Sequence, residues 1–164
     1  MKAIVYTSNT GHTEAYAKIL SEKTGLPMYS LKDAAKKLQK NTEVIYLGWL
    51  FANSVKGYKK CSKKFSVSAV CAVGLCDTGT AVSEVRKANK ISDELPLFTM
   101  QGGMDKQKLN SGYRFGINML TKAVAGKKNP TEEDKRMLYL LTNDKDYVSE
   151  ENTEDFINWY NKNK

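Results

Sequence analysis

Five short apolar runs, each followed by a stretch of helical character, limit what this chain can fold into more than any other feature. The runs are "KAIVYT" at 2–7, "LPMYSL" at 26–31, "EVIYLGW" at 43–49, "VSAVCAVGL" at 67–75 and "LPLFTMQ" at 95–101. The third and fourth are almost unbroken apolar sequence, the mark of strands covered on both faces. Stretches that suit helices lie between them at 12–24, 31–40, 54–64 and 79–92. Strand and helix in alternation predict a parallel sheet with right-handed crossovers and helices on both sides. A chain of 164 residues suits one domain whose core needs neither disulfides nor structural metal.

The pattern changes after the fifth run. Residues 107–125 carry Leu109, Tyr113, Ile117, Leu120 and Val124 at helix spacing. "GKKNPTEED" then reads as a turn, with Thr131 placed to cap the acidic residues that follow. "RMLYLLT" at 136–142 is expected to be extended, and a helix over about 152–162 closes the chain with Phe156, Ile157, Trp159 and Tyr160 on its apolar side.

Apolar and charged contents of 41% and 27% are globular values, and no apolar run approaches the roughly 20 residues of a membrane span. Met1-Lys2 leads straight into "AIVY", too little for a signal peptide, so a cytoplasmic location is expected. Cys61, Cys71 and Cys76 have no CxxC spacing and no histidine cluster, which suits free thiols and no metal site. The net charge of +8 is regional. Residues 32–64 hold nine lysines against Asp33 and Glu43, whereas 130–164 hold nine acidic and five basic side chains. A basic region of that kind can form a solvated face or draw in anionic ligands and lipid surfaces; no nucleic-acid partner is expected.

The first run opens into a loop of unusual polarity, within "VYTSNTGHTEAYAKIL" at 5–20. In a doubly wound sheet, ligands bind outside the carboxyl ends of the strands, and the first strand commonly flanks that point. Ser8, Thr10 and Thr13 offer hydroxyls, Gly11 lets the backbone come close to a ligand, and the next helix presents its unpaired N–H groups. The loop lacks the lysine of GxxxxGK[ST] and the spacing of GxGxxG, so neither a nucleoside triphosphate nor a dinucleotide is expected. It suits a phosphomonoester held by neutral dipoles.

"SNTGHT" fits the [ST]-x-T-G-x-T phosphate loop of flavodoxins, and its place after the first of five strands resembles that family as well. The resemblance implies a flavodoxin-like doubly wound α/β fold, strand order 2-1-3-4-5, and bound flavin mononucleotide (FMN). It places Ser8, Asn9, Thr10, Gly11, His12 and Thr13 on the phosphate. It places Trp49, Leu50, Phe51, Ala52 and Asn53, in the aromatic loop "GWLFANSVKGY", beside the flavin ring. Leu75, Cys76, Asp77, Thr78 and Gly79, from "GLCDTGTA", would turn backbone N–H groups to its polar edge. Cys76 has no partner at redox spacing and reads as a small loop residue. His12, the single histidine, reads as a loop position contributing its N–H, and no residue stands out as an acid–base catalyst.

Electron-carrying flavodoxins are generally acidic, whereas here "KGYKKCSKK" directly follows the third-run loop. That charge favours two-electron over one-electron chemistry. The segment from "LPLFTMQGGMDKQKLNSGYRFGINML" onward resembles the flavodoxin-type, quinone-dependent protoporphyrinogen dehydrogenases in layout. This implies an FMN oxidoreductase that passes electrons from a porphyrinogen-like donor to a quinone. Lys106, Lys108, Arg114, Lys122, Lys127 and Lys128 around the apolar stripe suit contact with an anionic membrane surface. Two other readings stay open: a one-electron carrier serving a protein redox partner, and a flavodoxin-fold binding module without redox activity.

Overall fold

The computed structural model describes residues 1–164. The elements run β1 (Ala3–Thr7), α1 (His12–Thr24), β2 (Met28–Ser30), α2 (Leu31–Lys37), β3 (Glu43–Phe51), β4 (Ser54–Val55), α3 (Tyr58–Lys64), β5 (Ser66–Gly74), α4 (Val82–Asn89) and β6 (Leu97–Gln101). Then come α5 (Ser111–Ala125), α6 (Glu132–Thr142), a 3₁₀ turn (Glu151–Thr153) and α7 (Glu154–Asn163). The five long strands are parallel and lie side by side as β2-β1-β3-β5-β6. Counted among themselves they follow the expected order 2-1-3-4-5, the flavodoxin-like doubly wound arrangement. The sixth strand, β4, is two residues long and folds back antiparallel on the end of β3.

Period-two alternation sorts the central strands onto two cores. Val5, Val44, Tyr46, Val70 and Ala72 face Ala34 of α2, Cys61 of α3 and Val85 of α4. Ile4, Ile45, Leu47, Cys71 and Met100 face Tyr16, Ala17 and Leu20 of α1 and Phe156 and Tyr160 of α7. Leu20 and Phe156 are fully buried, and truncating such a side chain to alanine costs about 2–5 kcal/mol. Cys61 and Cys71 serve as small core residues, and burial pushes the Cys61 thiol up to about 12.

Two expectations need correction. Residues 136–142 are not extended: they are the body of α6. Thr131 accepts from the Asp134 N–H at 3.1 Å, and the Asp134 carboxylate accepts from the Thr131 N–H at 3.1 Å, a capping box that starts a helix. Met137, Leu140 and Leu141 then fall on one helical face, where Met137 and Leu141 meet Met104, Leu109 and Ile117. The stretch expected to be helical from 54 opens instead with β4, and the helix begins at Tyr58. Ala52 and Asn53 both have positive φ (47° and 60°), which joins β3 and β4 by a two-residue hairpin turn.

The third apolar cluster decides where the carboxyl-terminal segment sits. Phe51, Leu75 and Tyr113 pack on it, so α5 and α6 lie across the carboxyl ends of β3 and β5. A backbone zip holds the base of this hairpin of helices: Met104 N–H donates to the Lys145 carbonyl at 3.1 Å and Tyr147 N–H to the Gly102 carbonyl at 2.9 Å.

Candidate functional site

Everything the sequence singles out for chemistry comes to one end of the sheet, beyond the carboxyl ends of β1, β3 and β5. The loop Ser8–Gly11 joins β1 to α1. Gly11 caps the helix with φ 103°, a conformation that suits glycine. The Ser8 hydroxyl accepts from the Gly11 N–H at 3.2 Å, and Thr10 Oγ1 lies 2.9 Å from His12 Nδ1. Intrahelical bonding starts at Ala15, whose N–H reaches the Gly11 carbonyl at 2.9 Å. The N–H groups of His12, Thr13 and Glu14 have no acceptor. The side-chain amide nitrogen of Asn9 is buried and also has none. A buried amide costs about 1–3 kcal/mol when left without a partner, and the first-turn N–H groups beside it are the donors that any helix amino terminus leaves free.

His12 also lies near a carboxylate on its far side. Its Nε2 lies 3.7 Å from Asp146 Oδ1, and its side chain is only 12% exposed. It packs against Gly102 and Gly103, just past the end of β6.

The donors open on a narrow cavity of about 80 Å³ whose walls include Asn9, Thr10, His12 and Thr13 on one side and Trp49, Phe51 and Tyr113 on the other. A second, wider cavity of about 330 Å³ lies between the β3–β4 hairpin, the loop after β5 and α5–α6. Leu50, Phe51, Gly74, Leu75 and Ile117 belong to the walls of both, so the two are neighbouring compartments of one cleft. The first is mostly apolar, with Asn9, Thr10, His12 and Thr13 as the polar part of its wall. The second is also mostly apolar, with Ala52, Asn53, Cys76 and Asp77 at its edge. Only the second reaches the lower end of the 300–1,000 Å³ usual for ligand sites.

Trp49 ends the expected strand run, and Leu50 and Phe51 extend it as strand where loop was expected. They end β3 and carry the hairpin turn Ala52–Asn53. Trp49 meets Tyr113 edge-on, centroids 4.7 Å apart, and Phe51 meets the same ring at 5.1 Å. Lys56 Nζ sits 5.3 Å from the Phe51 ring centroid and 5.9 Å from that of Tyr113. A buried asparagine sets this hairpin in place. Asn89, at the end of α4, accepts from the Val55 N–H at 2.8 Å and donates to the Asn53 carbonyl at 2.7 Å.

The loop after β5 departs most from its expected role. Leu75, Cys76 and Asp77 line the wide cavity, but Thr78 and Gly79 do not. Thr78 is spent on structure: its hydroxyl donates to Asn152 Oδ1 at 2.7 Å and accepts from the Gln101 N–H at 2.9 Å. The Gly79 N–H donates to the Thr99 carbonyl at 3.1 Å and so is not offered to a ligand. Asp77 pairs with Arg136 of α6. Cys76 is exposed, and partial desolvation with the Asp77 and Glu133 carboxylates pushes its thiol up, away from the reactive thiolate.

Tyr113, Met104, Ile117 and Asn89 are the site residues that sequence reasoning missed as such. Tyr113 and Ile117 were visible only as members of a helical stripe, and nothing in their spacing says which surface the stripe covers. No protein-family model, curated protein or solved structure matches the chain.

Proposed function

We propose that this protein binds FMN in the divided cleft and acts as a flavin-dependent oxidoreductase, taking electrons from a porphyrinogen-like donor and passing them to a quinone. The observation that carries the reading is the set of unpartnered donors between β1 and the first turn of α1: the buried Asn9 amide and the free N–H groups of His12, Thr13 and Glu14. The residues fit the group at both ends. The polar part of the narrow compartment's wall suits a phosphate dianion at a helix amino terminus. The apolar compartment walled by Leu50, Phe51, Leu75 and Ile117 suits an isoalloxazine.

FMN, when bound, supplies the electron-exchanging chemistry, which asks binding, orientation and tuning of the protein. Asn9, His12 and Thr13 would hold the phosphate. Leu50, Ala52, Asn53, Leu75, Cys76 and Asp77 would surround the ring. Trp49, Phe51 and Tyr113 exclude water from the boundary between the compartments. His12, placed by Thr10 and with Asp146 nearby, is the one imidazole in the wall and can hold a proton at Nδ1 or Nε2.

A lipid-soluble acceptor asks for access to a membrane surface. The outer face of α5 leaves Phe115 and Met119 exposed, 66% and 58%, beside Lys122. We assign that face to contact with an anionic lipid surface.

The test is reconstitution. The protein is incubated with FMN, freed of unbound flavin, and its visible spectrum recorded before and during anaerobic reduction. Stoichiometric yellow protein, reoxidised rapidly by a menaquinone analogue, is the expected result. The Thr10→Val, Gly11→Val double variant strains the loop at φ 103° but leaves both cores of the sheet untouched, and is expected to keep the sheet and to lose flavin. A variant that still purifies yellow would remove the loop from the site, and a wild-type protein that binds no flavin would remove the function.

A further inference from the structure

A larger concavity, about 940 Å³, lies beside the cleft, at the carboxyl ends of β1 and β2. Lysines from three places meet in its wall: Lys32 and Lys36 on α2, Lys56 in the turn before α3, and Lys60 and Lys64 on α3. None of the five is in an ion pair. The wall holds one carboxylate, Glu14, which accepts from the Tyr6 hydroxyl at 2.5 Å. Asp33, next to Lys32 in sequence, accepts from the Ser30 hydroxyl at 2.6 Å and is not part of the wall. Five cations around a concavity raise the local potential through mutual repulsion, which an anion relieves.

Position and shape narrow the occupant. The carboxyl end of a doubly wound sheet is where such folds bind ligands. The volume is that of a small-molecule site. An acidic protein partner would ask for a broad surface of about 800 Å², which a concave groove does not offer. Trp49 and Tyr113 are common to the walls of this groove and of the phosphate-loop cavity. An anion held by the lysines is therefore seated against the aromatic partition that faces the proposed flavin site.

We propose that this groove is a second anion site, which binds a small organic molecule bearing two or more carboxylate or phosphate groups against the Trp49–Tyr113 partition. The inference rests on the FMN reading for the molecule's role as the electron-exchanging substrate. The groove's affinity for such anions is a separate property that the lysines alone determine.

Isothermal titration at low ionic strength separates the two. Citrate and pyrophosphate serve as carboxylate and phosphate probes, with octa-aspartate and duplex DNA as macromolecular ones. Wild-type protein is expected to bind citrate or pyrophosphate with a stoichiometry of one. The Lys32→Gln, Lys36→Gln, Lys60→Gln variant is expected to lose affinity by about tenfold or more, since each lysine supplies a charge-assisted hydrogen bond. All three side chains are exposed, so the variant keeps its fold. The Thr10→Val, Gly11→Val variant is expected to retain the binding, and retention there, with FMN lost, shows that the groove and the phosphate loop are different sites. Absence of saturable binding by either small anion overturns the proposal. So does binding that survives the lysine changes but vanishes with the loop variant, or lysine-dependent binding of octa-aspartate or DNA alone. If wild-type protein takes up no FMN but binds citrate or pyrophosphate through the lysines, the FMN function falls and the anion site stands.

Discussion

The side chain of Asn89 makes three hydrogen bonds while only 6% exposed: one from the Val55 N–H, one to the Asn53 carbonyl and one to the Val85 carbonyl. Two of them leave its own helix and fix the tip of the β3–β4 hairpin, on which Leu50, Phe51 and Ala52 are carried to the cleft. Asn89→Ala strips the partners from Val55 and Asn53 and opens a small void, so we expect a loss of about 2–3 kcal/mol, read from the urea midpoint. An unchanged midpoint would mean that water replaces the amide and that the hairpin does not depend on it. Gly116 acts by a different route. A Cβ there would lie 2.9 Å from Phe51 Cζ, so only glycine lets α5 approach the hairpin this closely. Neither residue could be recognised in the sequence. Asn89 lies within "VRKANK" with nothing to mark it as buried, and the partner of Gly116 is 65 positions away, a separation that only the tertiary fold closes.

At the level of elements, α6 shows how local chemistry settles an ambiguous run. "RMLYLLT" satisfies a strand and a helix equally by composition, and the capping box of Thr131 and Asp134 decides it. The Lys127 ammonium beside Asp134, with the Thr131 N–H, holds that carboxyl below its ordinary value of 3.8. A carboxyl lowered in the folded state stabilises it in full above that ordinary value and loses the contribution as pH falls through the lowered one. Wild type is therefore expected to be more stable than Asp134→Asn at neutral pH, with the two urea midpoints converging in acid. A gap that stays constant with pH would assign the difference to the cap's shape and not its charge. The strands and the polar loop between β1 and α1 were legible because their signals are local: alternation, continuous apolar runs, a glycine at a polar turn. The hairpin after β3 was not. Its turn is Ala52–Asn53, and alanine at positive φ is no turn signal.

Over the whole molecule, basic side chains stand both in the groove and beside the exposed apolar side chains of α5. Lys32, Lys36, Lys60 and Lys64 of α2 and α3 gather at the groove, whereas α5 presents Phe115 and Met119 outward, with Arg114, Lys122 and Lys128 nearby in sequence. No helix is long and apolar enough to cross a membrane, so any contact through α5 would be peripheral. Burying what remains exposed of Phe115 and Met119 at a lipid interface gives about 2–4 kcal/mol before ordering costs, and each nearby basic residue adds about 1 kcal/mol on an anionic surface. That sum is enough for weak, salt-sensitive association and too little for permanent anchoring. The protein is expected to sediment with phosphatidylserine–phosphatidylcholine vesicles at low salt, and less so as salt rises past the point where the Debye length shrinks to about 8 Å. Phe115→Ser with Met119→Ser is expected to abolish sedimentation while leaving the urea midpoint unchanged, because both side chains are already exposed. Pelleting that survives this double change and is lost with the lysines of α2 and α3 would move the membrane contact from α5 to the basic groove. Wild-type protein that stays in the supernatant at low salt would remove the lipid surface from the list of partners.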